Sequence, residues 1–505
     1  MGHLLFMPML RALIPLVAGI LLAKIYPLPL TFAAPLMMVA VVAAIFFCHS
    51  RYGNLFLCLM LIALGELSAS IGRALQPLPT EPTTAIIEID NITSLRNEKL
   101  YGNAILRSYT VGDKQFKART HLRITAPQES GLMDGDVVQA LCHFVPYDDD
   151  STATHYERYM FNNGYIAQGY IDQREVVRHS SYAPLRHYAE SRIAMLHLSE
   201  QSMPIVKALA LGDRRDISPE IRHNYTMGGS AHLLAVSGMH IGFLFVFVNL
   251  LMAWSVVFIH KGNVLRSITV IAVIWCYVLI VGFAPSVIRA AIMFTILQIG
   301  LTLPYYTSPM NTLSLTAFVM LSCEASTLHD AGFLLSMVAV AAILEWAQPI
   351  YWRLKSAMRN DGFKTTRYNL FHYIMLAMKN LMHQLIMTLI VASVTSIATL
   401  PLVSYMFGNM SLWSVATGSL MTLLCGVCQI TTMGWILLPI DSLGHIASWI
   451  IDQCAIGMNL ITHWCAHTQL LAAEVYISTT TCLICYGIMI AVTLAMWATK
   501  NDRKV

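Results

Sequence analysis

Long apolar segments recur along this chain, and they constrain its fold more than any other feature. Three open the sequence, at about 4–23, 32–48 and 55–71, each close to the roughly twenty residues that cross a bilayer. Nine more are predicted, at 239–259, 268–281, 287–303, 313–323, 333–347, 385–406, 412–438, 446–462 and 481–498. Only 12% of the 505 residues are charged, against about 25% in soluble proteins. The sequence therefore predicts a polytopic α-helical membrane protein.

A polar segment of about a hundred residues interrupts these apolar runs. Its period-two alternation predicts five short strands, at 84–89, 100–110, 116–125, 137–145 and 165–171. Five strands in this length predict a small OB-like β-barrel. The third strand carries a basic strip, Lys114, Lys117, Arg119 and Arg123. The strip is either a weak nucleic-acid contact or the solvated face of the strand.

Lysine and arginine in short loops indicate the orientation, because such loops stay on the cytoplasmic side. Basic residues cluster near Arg51, around Lys261, at 351–379 and in the C-terminal tail. An odd number of crossings before the barrel places all four clusters inside and the barrel outside. We therefore expect transmembrane helices at 1–75, an extracytoplasmic OB-like domain at 80–180, an amphipathic helical vestibule at 183–228, a polytopic domain at 229–499 and a cytoplasmic tail at 500–505.

The stretch AHLLAVSGMHIG at 231–242 places polar groups at the mouth of an apolar run. Polar residues there are costly unless they line a cavity or a path, which makes the stretch a candidate functional site. On a helix, Ser237 and His240 share a face, as a nucleophile and its base would. The alternatives are a pore-lining role, a helix break that Gly238 and Gly242 permit, or plain packing with a hydroxyl bonded to its own backbone.

Two charged residues lie close to the starts of predicted spans. Arg289 is about one turn inside one span, and Asp330 is at the beginning of another. A lone intramembrane charge is expensive, so we expect Asp330 to be the partner of Arg289. Either the pair only fixes helix register, or Arg289 faces a polar passage.

Five blocks of the sequence resemble, in order and spacing, the competence domain of the ComEC-type competence proteins. The blocks are ALALGDRRDIS, HLLAVSGMHIG, PSVIRAAIM, LHDAGFLLSMVAV and LPLVSYMFGNMSLWSVATGSL, and YERYM with GYIA is similar to the end of the OB-like region of that family. The resemblance implies a channel of the bacterial inner membrane that carries single-stranded DNA into the cytoplasm. By motif position it assigns to the DNA path Asp213, Arg214, His232, Ser237, Gly238, His240, Arg289 and Asp330.

The resemblance also implies partners for such a channel. They are the bilayer, an extracytoplasmic DNA receptor, and a cytoplasmic motor or single-strand-binding proteins, since no G-x-x-x-x-G-K-[ST] loop is present. Many relatives continue into a metallo-β-lactamase-like domain with a His-x-His-x-Asp-His cluster. This chain has no such string, so we expect no zinc centre, no cofactor, and a separate nuclease.

Three classes of function stay open on the sequence. The first is a DNA channel without enzymatic activity. The second is a membrane-embedded serine hydrolase that uses Ser237 and His240. The third is a transporter of another solute. The C-x-x-C pairs at 425/428 and 482/485 lie in apolar runs and predict small packing residues.

Overall fold

The computed structural model describes residues 8–502, apart from 51, 74–77, 80, 97–98, 112–113, 128–131, 133–135, 148–156, 158–159, 162–163, 179–182, 260–261, 283–284, 303–307, 358–369, 408, 412, 439–440, 469–471 and 475–476. The chain forms two compact units. Unit 1 comprises Met1–Asp216, Ala235–Phe333 and Gln429–Ser448, and unit 2 comprises Ile217–Leu234, Leu334–Cys428 and Trp449–Val505.

Five strands in unit 1 form a closed barrel. They are β1 Thr83–Arg96, β2 Lys99–Val111, β3 Lys114–Pro127, β4 Val137–Pro146 and β5 Tyr165–Arg178. The strand order is β1-β2-β3-β5-β4, with β4 closing on β1, and β3 pairs with β5 in parallel while the other neighbours are antiparallel. This confirms the predicted OB-like barrel. The strands are longer than predicted because paired residues extend beyond the alternating stretches.

Alternate strand residues fill the barrel. Ile87, Leu106, Leu122 and Ile124 have no exposed surface, as the period of two requires. Cys142 is also fully buried. Burial, helped by the nearby charge of Asp172, raises the pKa of the Cys142 thiol to about 12, so Cys142 is an uncharged core residue.

Helices occupy the rest of unit 1. Before the barrel lie α1 Pro8–Ile25, α2 Leu30–Phe46 and α3 Gly53–Arg73. After it come α4 Ala183–Ala194, α5 Met203–Leu211, α7 Gly238–Leu251, α8 Ala253–Phe258, α9 Gly262–Val281, α10 Pro285–Thr302 and α11 Pro309–Cys323, with α6 Pro219–Met227 of unit 2 between α5 and α7. Short 3₁₀ turns at Ala231–Leu234 and Ala325–His329 precede α7 and α12.

The last third of the chain is also helical. It contains α12 Ala331–Ala342, a π-helical turn Ile343–Ala347, α13 Gln348–Ala357, α14 Leu370–Phe407, α15 Trp413–Leu437, α16 Gly444–Thr468 and α17 Thr479–Asp502. A 3₁₀ turn Asp441–Leu443 precedes α16, and the short strands β6 Asn409–Ser411 and β7 Ala472–Glu474 pair antiparallel.

Among the described residues, seven helices are long and apolar enough to cross a membrane. Four further apolar helices are shorter, Leu30–Phe46, Gly238–Leu251, Ser286–Thr302 and Pro309–Cys323. Many large apolar side chains of the seven long helices are exposed, for example Ile14 at 61% and Leu483 at 67%. Such exposure is expected of surfaces that face lipid. The chain is thus a multi-pass membrane protein, whereas its orientation and domain limits stay predictions.

Two predicted segments show features that the sequence pattern did not indicate. The predicted span at 239–259 is interrupted at Met252, where α7 ends and α8 begins. In the predicted amphipathic vestibule, helix α5 is buried at six of its nine positions, Ile205, Val206, Ala208, Leu209, Ala210 and Leu211. Lys207 of the same helix is partly exposed and pairs with Asp216, so α5 packs most of its surface against the chain and keeps one charged side chain at the surface.

Helices α1 and α3 pack closely through glycines. A Cβ atom on Gly19 would overlap the backbone of Ile62, and one on Gly65 would overlap the backbone of Leu16. Small residues allow helix backbones to approach in a membrane, where close packing replaces the hydrophobic effect. This pair positions the N-terminal helices of unit 1.

Leucine at Gly19 or at Gly65 should separate α1 from α3 and destabilise the protein by roughly 1–3 kcal/mol, the usual cost of overpacking. Thermal unfolding of the purified full chain in detergent measures the effect. Gly487→Leu is the matched control, because Gly487 is exposed in the middle of α17 and nothing lies within 4 Å of its Cβ position. Equal melting temperatures for all three variants would contradict the close packing of α1 on α3.

Candidate functional site

Three of the sequence blocks meet in unit 1. Gly212 ends α5 in the left-handed conformation, with φ of 73°, and a Cβ on it would lie 3.3 Å from Val281 and 3.4 Å from Val236. The Ser286 hydroxyl donates to the carbonyl of Val236 at 2.9 Å. The blocks around 212, 236 and 286 therefore form one packed cluster, which we call the central cluster.

Ser237 and His240 are in contact, but not on one face of a helix. Helix α7 begins at Gly238, so Ser237 is its N-cap and His240 its third residue. The backbone N–H of Ser237 donates to Nδ1 of His240 at 3.1 Å, and Ser237 Oγ lies 3.1 Å from the same nitrogen. Because Nδ1 accepts from a backbone N–H, it carries a lone pair. This reciprocal arrangement is a helix cap.

His240 has no exposed surface, so a substrate does not reach its ring in this conformation. Gly238 and Gly242 hold α7 close to α10, since Cβ atoms there would lie 3.5 Å from Ala290 and 3.3 Å from Phe294. The chain is not α-helical directly before Gly238, because a 3₁₀ turn, a bend and two non-helical residues precede it. His232 lies on that 3₁₀ turn, in unit 2, and is exposed.

Asp213 follows Gly212 and is bound by its neighbour Arg215. The Asp213 carboxylate accepts from Nε of Arg215 at 2.9 Å, from Nη2 at 2.6 Å and from the backbone N–H at 3.1 Å. Burial alone would raise the pKa of Asp213, but the bonds and charge of Arg215 outweigh it, with help from Arg186, and lower the pKa. Asp213 is therefore ionised and paired, while Arg214 is exposed.

The expected pairing of Arg289 with Asp330 is confirmed: Nη1 of Arg289 donates to Oδ2 of Asp330. The Arg289 side chain is only 9% exposed and that of Asp330 30%. Asp330 also caps α12, because it accepts the backbone N–H groups of Gly332 at 3.3 Å and Phe333 at 3.1 Å. A Cβ on Gly332 would overlap the guanidinium. The pair thus joins α10 to the start of α12.

The basic strip expected on the barrel is seen only in part. The side chains of Lys114, Lys117 and Arg119 lie outside the part of the chain that the structure describes. Arg123 lies between the buried residues Leu122 and Ile124 and therefore points outward. It donates to the side-chain carbonyl of Asn103 on β2 at 2.8 Å.

The outer surface of β3, β5 and β4 carries rings that the sequence pattern did not single out. His121 pairs in register with Tyr165, at 6.0 Å between ring centroids. His143 pairs with Tyr170, at 6.5 Å, and Tyr170 is 40% exposed. We call His121, His143, Tyr165 and Tyr170 the ring surface. Their alternate positions in predicted strands were visible, but the strand order that brings them together was not.

A second feature that sequence reasoning missed joins α4 to the end of α15. The Arg192 guanidinium lies 4.2 Å from the ring centre of Trp435 and donates to Asp441 at 2.7 Å. In return the indole N–H of Trp435 donates to the carbonyl of Arg192 at 2.6 Å. With Arg192 only 6% exposed, this contact fixes the first helix after the barrel against a membrane helix.

No group of three or more histidine, cysteine or acidic side chains suitable for a metal ion occurs among the described residues. The first C-x-x-C pair, Cys425 and Cys428, is fully buried within α15. Cys482 is buried in α17, and Cys485 is partly exposed there.

The fold and the central cluster define a class, a polytopic membrane protein that carries a small OB-like barrel. The chain matches the Competence protein family over residues 209–501, more than half of its length, and it belongs to this ComEC-type family. It is 31% identical over 161 residues to ComE operon protein 3 of Bacillus subtilis (strain 168), an alignment that covers 32% of this chain and 20% of the relative. The chain thus spans about a fifth of that relative. No solved structure matches.

Removing the charge of Asp330 should destabilise the protein more than removing the charge of Arg289. Asp330→Asn keeps a capping side chain but removes the opposite charge from a buried guanidinium, so we expect a loss of stability on the order of 2–4 kcal/mol. Arg289→Met should cost less, because Asp330 is partly exposed and still caps α12. The double variant, which combines Arg289→Met with Asp330→Asn, should be more stable than Asp330→Asn alone. Thermal unfolding of the full chain gives the double-mutant cycle.

Lys207→Met is the control for this cycle, because Lys207 forms an exposed pair with Asp216 and exposed pairs contribute little. Additive losses in the double variant would show that Arg289 and Asp330 do not depend on one another.

Proposed function

We propose that this protein is a channel of the inner membrane that carries single-stranded DNA into the cytoplasm during natural transformation. The observation that carries the proposal is membership of the competence family together with a closed barrel joined to many membrane helices. In the proposed orientation the barrel is extracytoplasmic and the C-terminus cytoplasmic. A receptor outside, a separate nuclease, and a motor or single-strand-binding proteins inside would complete the uptake.

The residues assigned to the DNA path fall into two groups, one buried and bonded within the chain and one exposed. His240, Arg289 and the Asp213 carboxylate are buried and bound to other groups of the chain. We assign them to positioning of α7, α10 and α12. The exposed groups Arg214 and His232 are the better candidates for contact with DNA, since a phosphate needs a reachable cation or donor.

The contacts of Ser237 and His240 do not favour their use as the nucleophile and base of a serine hydrolase. Their contact at 3.1 Å is real, but Nδ1 of His240 also accepts the backbone N–H of Ser237 and the ring has no exposed surface. A general base must reach the proton that it abstracts in a plausible substrate pose. Under the proposed function Ser237 caps a helix and does no covalent chemistry.

The ring surface is the proposed DNA contact of the barrel. Single-strand binders combine aromatic platforms, on which bases stack, with cations that follow the backbone. Tyr170 is exposed beside His143, and Arg123 lies one strand away, paired in register with Gln168 of β5. Neighbouring strands are about 4.8 Å apart, so rings and the guanidinium are within reach of one strand of DNA.

The channel is tested in a competent recipient whose own ComEC-type gene is deleted. The full chain should restore the appearance of nuclease-resistant single-stranded DNA in the cytoplasm. Ser237→Ala should restore it to within a few fold, because loss of a cap costs about 1 kcal/mol and no chemistry. Uptake is measured with end-labelled DNA.

Loss of uptake with Ser237→Ala, together with labelling of Ser237 by a serine-reactive phosphonate, would favour the hydrolase instead. Failure of the full chain to restore uptake, while it is stably inserted in the membrane, would favour a transporter of another solute.

Replacing Tyr170 and His143 by alanine should weaken single-strand binding by the purified full chain. Stacking contributes roughly 1–3 kcal/mol per base, so each ring should account for a loss of affinity of about 5-fold to 150-fold. Fluorescence anisotropy with a labelled oligonucleotide measures it. Val111→Ala, at an exposed position of β2, is the control. Unchanged binding in the double variant would remove the ring surface from the DNA path without affecting the channel proposal.

A further inference from the structure

Two histidines form a pair on the exposed surface of helix α16. His463 and His467 are four residues apart, so their side chains are neighbours on the helix surface. Their ring centroids are 4.2 Å apart and their planes differ by 29°. Both side chains are exposed, so the pair is not part of the packed core.

A hydrogen bond indicates the tautomer of one ring. Nδ1 of His467 lies 2.9 Å from the carbonyl oxygen of His463. A carbonyl only accepts, so Nδ1 carries the hydrogen, and in the neutral ring Nε2 carries the lone pair. Histidines that ligate metals are held in this way, with the second nitrogen donating to a backbone carbonyl or a carboxylate. His467 thus already presents a ligand nitrogen in the required form.

The surroundings keep the pair accessible. Trp464, which lies between the two histidines in sequence, is 57% exposed. This part of the surface of α16 is therefore open to a small ion.

From these contacts we propose that His463 and His467 bind a divalent transition-metal ion, such as Cu²⁺, Ni²⁺ or Zn²⁺. Imidazole is a good ligand for all three ions, and two histidines four residues apart on a helix can ligate one ion. No third protein ligand completes a cluster among the described residues. The site is therefore open, with its remaining positions filled by water or another small ligand.

Cu²⁺ added to the purified full chain tests the site, with electron paramagnetic resonance reporting the nitrogens bound to copper. Wild type should hold one Cu²⁺ through two imidazoles. His463→Asn or His467→Asn should each weaken this binding by more than the roughly 10- to 100-fold that loss of an outer-shell partner costs. His445→Asn is the matched control, because His445 is a single exposed histidine on the same helix.

A second variant keeps the number of histidines constant. In H467T/T468H the second imidazole moves one residue along, about 100° around the helix, and should no longer chelate with His463. Retention of wild-type copper affinity in this variant, or in both single variants, would overturn the proposal. Size-exclusion profiles identical to wild type confirm that the exposed substitutions leave the protein folded.

Discussion

The ion pair of Arg289 and Asp330 is the interaction on which the central cluster depends. A guanidinium in an apolar body is tolerated only when an opposite charge and hydrogen bonds compensate its lost hydration. Asp330 supplies that charge and also caps α12. Helix α10, which carries Arg289, also holds Val236 through Ser286 and contacts Gly238 through Ala290. Helix α10 thus joins its own sequence block to two others.

Other polar side chains buried in unit 1 also need partners in place of water, and they find them in hydrogen bonds between helices. Asn249 donates to Gln298, which donates to Ser267, so that α7, α10 and α9 are joined in sequence. Tyr277 bonds to the carbonyl of Leu209 and accepts from Gln429. These amides and hydroxyls therefore bond to groups on neighbouring helices. The polar residues of these helices therefore mark contacts between helices.

The sequence predicted those features of the fold that depend on neighbouring residues or on the cost of a buried charge. Alternation revealed the five strands of the barrel, and the cost of a lone charge indicated the partner of Arg289. The contact between Ser237 and His240 was expected, but as neighbours on one helix face. Gly238 begins α7 instead, so the contact is a cap. Arg192 and Trp435 lie 243 residues apart, and no periodicity links them. The ring surface depends on the parallel pairing of β3 with β5, which the sequence does not encode locally.

The charge of the barrel segment limits how it can recognise DNA under the proposed function. Between residues 78 and 180 there are ten basic and fourteen acidic residues, a net charge of −4. Such a domain repels a duplex, which presents its phosphates outward and keeps its bases stacked inside. Rings such as Tyr170 and His143 gain affinity only from bases that are unpaired. Binding that depends on stacking while net charge opposes it would therefore select a single strand, and its affinity would depend less on salt than that of a basic groove.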